Sequence, residues 1–335
     1  MTLPRLFYPL VLLCLGGLAG CKPDAPPIAP PPKVASPPKI VVLLSANGTQ
    51  PIESAERENL AKRFAGNADL ILKTLDAGGD SSRQVDQLRE ATATHPEAIL
   101  IRPVAGDVSV AAAIKSGILV IGLGEEATAS GCSTVIRYDE TEMGRLAGKA
   151  AVQAMTEKAA KAQLAEVSGR VVEIRGDETS PRSNQRHAGF IEAIKAAPGL
   201  IVVHDAPGDW TQKGGFQRTE DALRLQGTFD LVYAHTDLMA RGVGQALGNQ
   251  RKSVFIIGTD GFQTSEGGLA MIIRGEMDAT VQQPPLVDFA WQIIQRKLAE
   301  PSFQPKPTYQ LTPRIVLPED IIHILRTESP PFPSL

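Results

Sequence analysis

The residues of this chain that could do chemistry are polar groups that follow short apolar runs. Ser45-Ala46-Asn47-Gly48-Thr49-Gln50 follows the run Ile40 to Leu44, and Asp177-Glu178-Thr179-Ser180 follows the run ending at Ile174. His235-Thr236-Asp237, Thr259-Asp260-Gly261 and Gln282-Gln283 follow three more. Hydroxyls, amides and carboxylates of this kind supply both donors and acceptors. Gathered in one place they line a hydrogen-bonding cleft for a small ligand; scattered, they are loops that face water. Catalytic signatures are missing: there is no Gly-x-Ser-x-Gly elbow, no His-Glu-x-x-His and no phosphate loop ending in Gly-Lys-Ser/Thr. Gly122-Leu123-Gly124 is half a dinucleotide fingerprint without its third glycine, and the five histidines are scattered. The expectation is a protein with no catalytic residues, no cofactor and no metal, and not an enzyme.

The elements that would carry these groups alternate. Ile40–Leu44, Leu70–Leu75, Ala98–Ile101 and Ile118–Ile121 read as buried strands, continuous rather than alternating. Between them lie helical patterns at 53–65 (Leu60, Ala61 and Phe64 inward), after a cap at Asp80 or Ser81 (Val85 and Leu88 inward), and at 107–115. This is βαβαβαβ, a parallel sheet with helices on both faces. A long Ala- and Lys-rich helix near 139–163 leads to a second series. Its strands are Val171–Ile174, Leu200–Val203, Leu231–Ala234 and Val254–Ile257, with helices near 182–196, 212–225, 238–248 and 264–273. The fold class is therefore α/β in two lobes, each a parallel sheet flanked by helices. In such sheets ligands sit beyond the carboxyl ends of the strands, so two facing sheets place a cleft between those ends.

The first forty residues are different. Arg5 is the only charge before Cys21; a short apolar run, Leu6 to Leu15, ends in Gly16, Gly17, Ala19 and Gly20. That is a secretory signal, too short and interrupted to span a membrane comfortably. Leu18-Ala19-Gly20-Cys21 resembles the lipobox of bacterial lipoproteins, which implies that Cys21 is acylated and anchors the chain to a membrane. Lys22 to Pro38 is proline-rich and without apolar periodicity, read as a stiff tether or a plain leader. After Cys21 about 315 residues remain, enough for two ordinary domains. Net charge is −3, or −4 once Arg5 leaves with the signal, and no basic block suggests nucleic acid. Cys132 is then the one free thiol, read as a small buried hydrophobe, and no disulfide framework exists.

Five motifs in order carry a family resemblance over residues 39–312. Ser183-Asn184-Gln185-Arg186-His187-Ala188-Gly189-Phe190 resembles a Ser-x-x-Arg-x-x-Gly-Phe helix start, and Asp209-Trp210 an Asp-aromatic step. Ala234 to Ala240 resembles Ala-x-Asn-Asp-x-Met-Ala, Ile257 to Gly261 resembles Val-Gly-x-Asp-Gly, and Ala279 to Gln283 resembles Ala-Thr-x-x-Gln. Together they resemble the type I periplasmic substrate-binding proteins, the ribose-binding group. The resemblance implies that Arg186 donates a fork of hydrogen bonds to ligand hydroxyls, that Trp210 is a flat wall for a sugar face, and that Asp260 and Gln283 contact the ligand. Thr236 stands where the family usually has Asn. The first lobe departs from the pattern: Pro51-Ile52-Glu53 replaces the usual aromatics, and Gly124-Glu125-Glu126 replaces an Asp-Arg pair. Glu125 and Glu126 would suit a ligand amine or simply be solvated.

The resulting expectation is a solute-binding lipoprotein of the cell envelope, periplasmic or otherwise outside the cytoplasm, that closes on a sugar or sugar-like ligand for import. The alternative is a sensor that presents its closed form to a membrane receptor. Candidate ligand contacts are Ser45, Asn47, Glu125, Asp177, Arg186, Trp210, Thr236, Asp260 and Gln283. The expected partners are an ABC permease or membrane sensor and the membrane itself through the lipid, with the protein a monomer. Expected boundaries are 1–20 signal, 21–38 tether, 39–136 with 284–308 for the first lobe, 137–283 with 309–320 for the second, and a tail at 321–335.

Overall fold

The computed structural model describes residues 39–104, 108–283, 285–326 and 335. The signal, Cys21, the tether and residues 327–334 of the tail lie outside the described residues. The first series comprises β1 (Lys39–Ser45), α1 (Pro51–Phe64), β2 (Leu70–Asp76), α2 (Ser81–Ala93), β3 (Ala98–Ile101), α3 (Ala111–Lys115), β4 (Leu119–Leu123) and β5 (Thr134–Tyr138). The second comprises α4 (Glu140–Lys161), β6 (Ser168–Arg175), α5 (Pro181–Ile194), β7 (Gly199–Pro207), α6 (Gln212–Gln226), β8 (Leu231–Ala234), α7 (Asp237–Leu247), β9 (Phe255–Asp260), α8 (Gly268–Ile273) and β10 (Ala279–Gln282). The chain then returns through α9 (Leu286–Ala299), β11 (Thr308–Leu311), β12 (Arg314–Val316) and α10 (Ile321–Arg326).

Two six-stranded sheets result, ordered β11-β5-β4-β3-β1-β2 and β12-β10-β9-β8-β6-β7. Neighbouring strands are parallel except β10 with β12. The unbroken apolar runs are explained by burial on both faces. In β1, Val41 and Leu43 join a core with Leu60 and Phe64 of α1 and Phe289 of α9. Val42 and Leu44 face the other way, into a core with Leu88 of α2 and Ala113 of α3. The second sheet repeats this arrangement, with α4 and α5 on one face and α6, α7, α8 and α10 on the other.

Several expectations change. Strands β5 and β11 were not anticipated; both complete the first sheet. The chain therefore leaves the first sheet after Tyr138 and finally after Leu311, a few residues later than the boundaries at 136 and 308. Residues 321–326 are not tail: Ile321 and Ile324 are buried in the second lobe's core. The helix expected at 107–115 starts at Ala111, and Ala105 to Asp107 lie outside the described residues. On α2, Val85 is exposed and Gln84 is fully buried. The Gln84 amide donates to the Arg102 carbonyl and accepts from Val104 N–H, which ties down the chain beyond β3. On α1, Ala61 is exposed while Glu53 and Glu56 point inward. Cys132 is half-buried, and burial pushes its thiol up to about 11.

The chain passes between the sheets three times, after β5, β10 and β11. The first and last passages are tied by Gln310 Nε2 donating to Asp139 Oδ2 at 2.8 Å. Asp139 also caps α4, accepting from Glu142 N–H at 2.8 Å. Helices α4 and α5 then pack backbone against backbone. A Cβ on Gly144 would overlap the Arg186 carbonyl, and one on Gly189 would overlap the Thr141 carbonyl. This close approach sets the start of α5, and with it Arg186, beside the start of α4.

Candidate functional site

The carboxyl ends of the strands converge on a cavity of about 290 Å³ between the two lobes. The second lobe contributes Arg182 and Arg186 from the first turns of α5, Asp209 and Trp210 after β7, Thr236 after β8, and Asp260 at the end of β9. The first lobe contributes Gln50 to Glu53 from the start of α1, Arg102 to Val104 after β3, and Glu126 after β4.

Three arginines line this cavity and each has a carboxylate of its own. Arg186 is 1 % exposed. Its Nε donates to Glu140 Oε2 at 2.6 Å, and its Nη1 donates to the His235 carbonyl. Arg102 holds Glu56 with two hydrogen bonds, Nη2 to Oε1 at 2.6 Å and Nε to Oε2 at 3.3 Å. Burial opposes both charges, but Glu56 at Arg102 and Glu140 at Arg186 outweigh it and raise both guanidinium pKa values. Arg182 crosses the cleft to Glu126, Nε to Oε1 at 3.2 Å. Burial opposes the Glu126 charge as well, yet Arg182 and Arg102 bring its carboxyl below the usual range.

Asp260 behaves in the opposite way. Burial, and then the neighbouring Asp237 carboxylate, push its pKa well above the usual carboxylate range against the pull of Arg186 and Arg182. Asp237 is itself raised by burial, although it accepts from Thr280 Oγ1 and Gly261 N–H, each at 2.7 Å. Two such carboxyls share charge poorly, so the pair holds a proton more readily than an isolated aspartate. Asp260 also has φ 126, Asp209 φ 52 and Trp210 φ 59. These left-handed backbones gather at the cavity, where surrounding structure must hold them against strain.

Trp210 lies against Gly176, where a Cβ would overlap its ring. Two guanidinium groups also lie over the ring, Arg182 at 4.7 Å and Arg186 at 5.6 Å from the centroid. Behind the cavity wall, Glu173 is completely buried between two histidines. Gly176 N–H donates to His235 Nδ1 at 3.3 Å, so His235 Nε2 carries the proton that it gives to Glu173 Oε1 at 3.0 Å. Burial lowers the pKa of His235 and keeps the ring neutral. This bonding fixes the strand end whose carbonyl accepts from Arg186. Glu173, His187 and Asp205 bring ligand-type atoms within 4.8 Å of one another. Asp205 is already paired with Arg175 at 2.6 Å, and both oxygens of Glu173 are engaged.

Of the residues singled out in the sequence, the structure brings Arg186, Trp210, Thr236 and Asp260 together at the cavity. The Thr236 hydroxyl caps α7, accepting from Met239 N–H at 3.1 Å. Gln283 stands behind Asp260, its amide donating to Asp260 Oδ1 at 2.9 Å, and does not line this cavity. Four others lie elsewhere. Ser45 is buried at the end of β1, where its carbonyl accepts from the Gln84 amide at 3.4 Å and from Ala77 N–H at 3.1 Å. Asn47 and Asp177 spend their side chains on local turns, each accepting from the N–H and hydroxyl two residues on, Thr49 and Thr179. Glu125 is turned away into a pair with Arg137 at 2.8 Å, because the short 3₁₀ turn after β4 sends adjacent glutamates in different directions. The residues that sequence reasoning missed are Glu53, Arg102 and Arg182; of the two glutamates weighed together in the sequence, Glu126 is the one that lines the cavity. A signal existed for Glu53: Glu53 and Glu56 share the face of α1 that carries Leu60 and Phe64.

A family model described as a periplasmic binding protein domain matches residues 40–295. The ribose import binding protein of Haemophilus influenzae is 27 % identical over 231 residues, 68 % of this chain and 74 % of that protein. The galactofuranose-binding protein of Escherichia coli is 27 % identical over 262 residues, 73 % of this chain and 78 % of that one. Among solved structures, a periplasmic solute-binding protein of an ABC transporter from Actinobacillus succinogenes, with bound D-allose, superposes with a TM-score of 0.72 at 20 % identity, covering 85 % of this chain and 99 % of that one. A galactofuranose-binding protein superposes with a TM-score of 0.69 at 23 % identity, over 86 % and 97 % of the two chains. These relatives are binding proteins, and the family's location is outside the cytoplasm. Among the described residues no helix is long and apolar enough to cross a membrane. With its two mostly parallel sheets and strand-end cleft, this chain belongs to the periplasmic binding protein domain family and has that family's two-lobed fold.

Proposed function

We propose that this protein captures a neutral, hydroxyl-rich small molecule, a sugar or sugar-like compound, between its lobes and delivers it to an ABC-type importer. The observation that carries the reading is charge balance inside the cavity. Arg102, Arg186 and Arg182 are answered by Glu56, Glu140 and Glu126, and Asp260 is held toward its neutral form. Such a site presents many oriented donors and acceptors but little net charge, which suits hydroxyl groups better than an ammonium or a carboxylate. An amine reading would have needed a free Glu125 or Glu126, and Arg137 pairs with the first and Arg182 with the second. Relatives named for ribose, D-allose and galactofuranose support the same ligand class. Closure of two lobes about a hinge is the known behaviour of periplasmic binding proteins, and acylation at Cys21 would hold this one at a membrane.

The test is a thermal-shift and calorimetric screen of neutral sugars and polyols beside uronic acids and amino sugars. A ligand at 100 times its dissociation constant stabilises the native state by about 2.7 kcal/mol. Neutral sugars are expected to raise the melting temperature and the charged analogues to leave it unchanged. A flat response to every neutral sugar, or a response confined to the charged ones, overturns the reading. For the anchor, Cys21→Ser is expected to release the protein from membranes; retention on the membrane fraction would count against acylation.

A further inference from the structure

Glu126 belongs to the stretch that replaces the family's Asp-Arg pair and Arg182 immediately precedes the motif that starts at Ser183, and the two meet across the cleft, one from each lobe. Their contact at 3.2 Å is an ion pair without an aligned hydrogen bond. Arg182 Nε and Glu126 Oε2 are both buried and neither has a hydrogen-bond partner among the described residues. Both residues line the cavity. A donor and an acceptor that are desolvated, close together and unused are poised for a partner offering one of each. Adjacent hydroxyls on a sugar ring are such a partner: one accepts from the guanidinium while its neighbour donates to the carboxylate.

We infer that Glu126 and Arg182 form a clamp for a vicinal diol of the ligand, and that this contact, made by one residue from each lobe, couples recognition to closure. The inference rests on the sugar-binding reading and adds a pair of specificity-determining residues to it. It also reassigns Trp210. The guanidinium of Arg182 lies over the ring at 4.7 Å, and Gly176 packs against the ring with no room for a Cβ. The indole therefore serves as a platform that holds the Arg182 side chain, and ligand recognition here runs through hydrogen bonds more than through stacking. Glu126 stays ionised in this role, because Arg182 and Arg102 outweigh its burial.

The experiment is calorimetric titration of the purified full chain with D-ribose, D-allose, D-arabinose and myo-inositol, and with singly deoxygenated analogues of whichever binds. Glu126→Gln and Arg182→Gln are each expected to weaken binding at least tenfold, and the double variant little more than either single one. Removing one hydroxyl of the diol is expected to weaken binding at least tenfold in the wild type and less than threefold in either variant. That loss of sensitivity would not follow from a merely structural disturbance. Both side chains are partly exposed, so the variants are expected to keep the wild-type melting temperature. Wild-type affinity in both variants, or full sensitivity to every deoxygenation in them, overturns the clamp while leaving the sugar-binding reading in place. Failure of the wild type to bind these four or any other neutral sugar or polyol of the wider screen overturns both.

Discussion

The two lobes share an architecture but build their halves of the cleft differently. In the second lobe the cavity-lining groups sit at strand ends and first helical turns. There Asp209, Trp210 and Asp260 adopt left-handed backbones to reach the cavity. In the first lobe the charged groups come from the inward face of a helix: Glu56 pairs with Arg102 and Glu53 accepts from Asn47 N–H, both buried away from water. The second lobe holds its site through backbone strain and the Glu173 bonding to two histidines; the first holds it through an internal ion pair. Both put a buried arginine against a buried glutamate, so the same perturbation can be applied on each side of the cleft.

The largest effect is expected from Arg186→Ala. It leaves Glu140 buried without its partner, a change that costs about 3–5 kcal/mol in comparable buried pairs. In the proposed site it would also remove charge-assisted hydrogen bonds to the ligand, so affinity should fall at least tenfold. Chemical denaturation and calorimetry read the two losses separately. An unchanged stability would show that Glu140 finds another partner. On the first-lobe side, Arg102→Ala strands Glu56 in the same way, and a comparable or slightly smaller loss is expected because this pair is a little more exposed. The double change Arg102→Met with Glu56→Leu should recover most of that stability, since apolar residues of similar volume replace a buried ion pair at little cost. Failure to recover would show that Arg102 is also held by Glu53 and Glu126.

A smaller, pH-dependent effect is expected at Asp260. Its folded pKa is raised by burial and by Asp237, so the native state keeps a proton that the unfolded chain gives up near pH 4. The stabilisation is full below that pH and is lost as pH rises through the folded value. Asp260→Asn has no such proton to lose. Its melting temperature relative to the wild type should therefore climb between about pH 4 and neutrality, as scanning calorimetry can follow. A constant difference across that range would mean that Asp260 is ionised in the folded protein. The smallest effect is expected from Glu125→Gln, whose half-exposed pair with Arg137 is worth at most about 1 kcal/mol. Ligand affinity should not change, and a marked loss would put Glu125 back into the site.

What the sequence determined by itself is local. Continuous apolar runs marked β1, β3, β4, β6, β8 and β9, because a strand covered on both faces needs no alternation. The helix starts at Asp80 and Asp139 follow from a side chain within three residues of the N–H it caps. The motif around Arg186 was legible because the serine, the arginine, the glycine and the aromatic lie on one helix at fixed spacing. Strands β5 and β11 were not legible as a pair, since their order beside one another arises only when the chain returns through α9. Nor did spacing reveal which of Glu125 and Glu126 lines the cavity, or that α1 turns carboxylates inward. The partner of Glu56 is 46 residues away, and Glu126 meets Arg182 only when the two lobes face each other. Local propensity acts over a few residues, whereas the burial of a charge depends on a partner that tertiary structure alone delivers. The tertiary structure therefore decided which polar strand ends became a site and which remained turns.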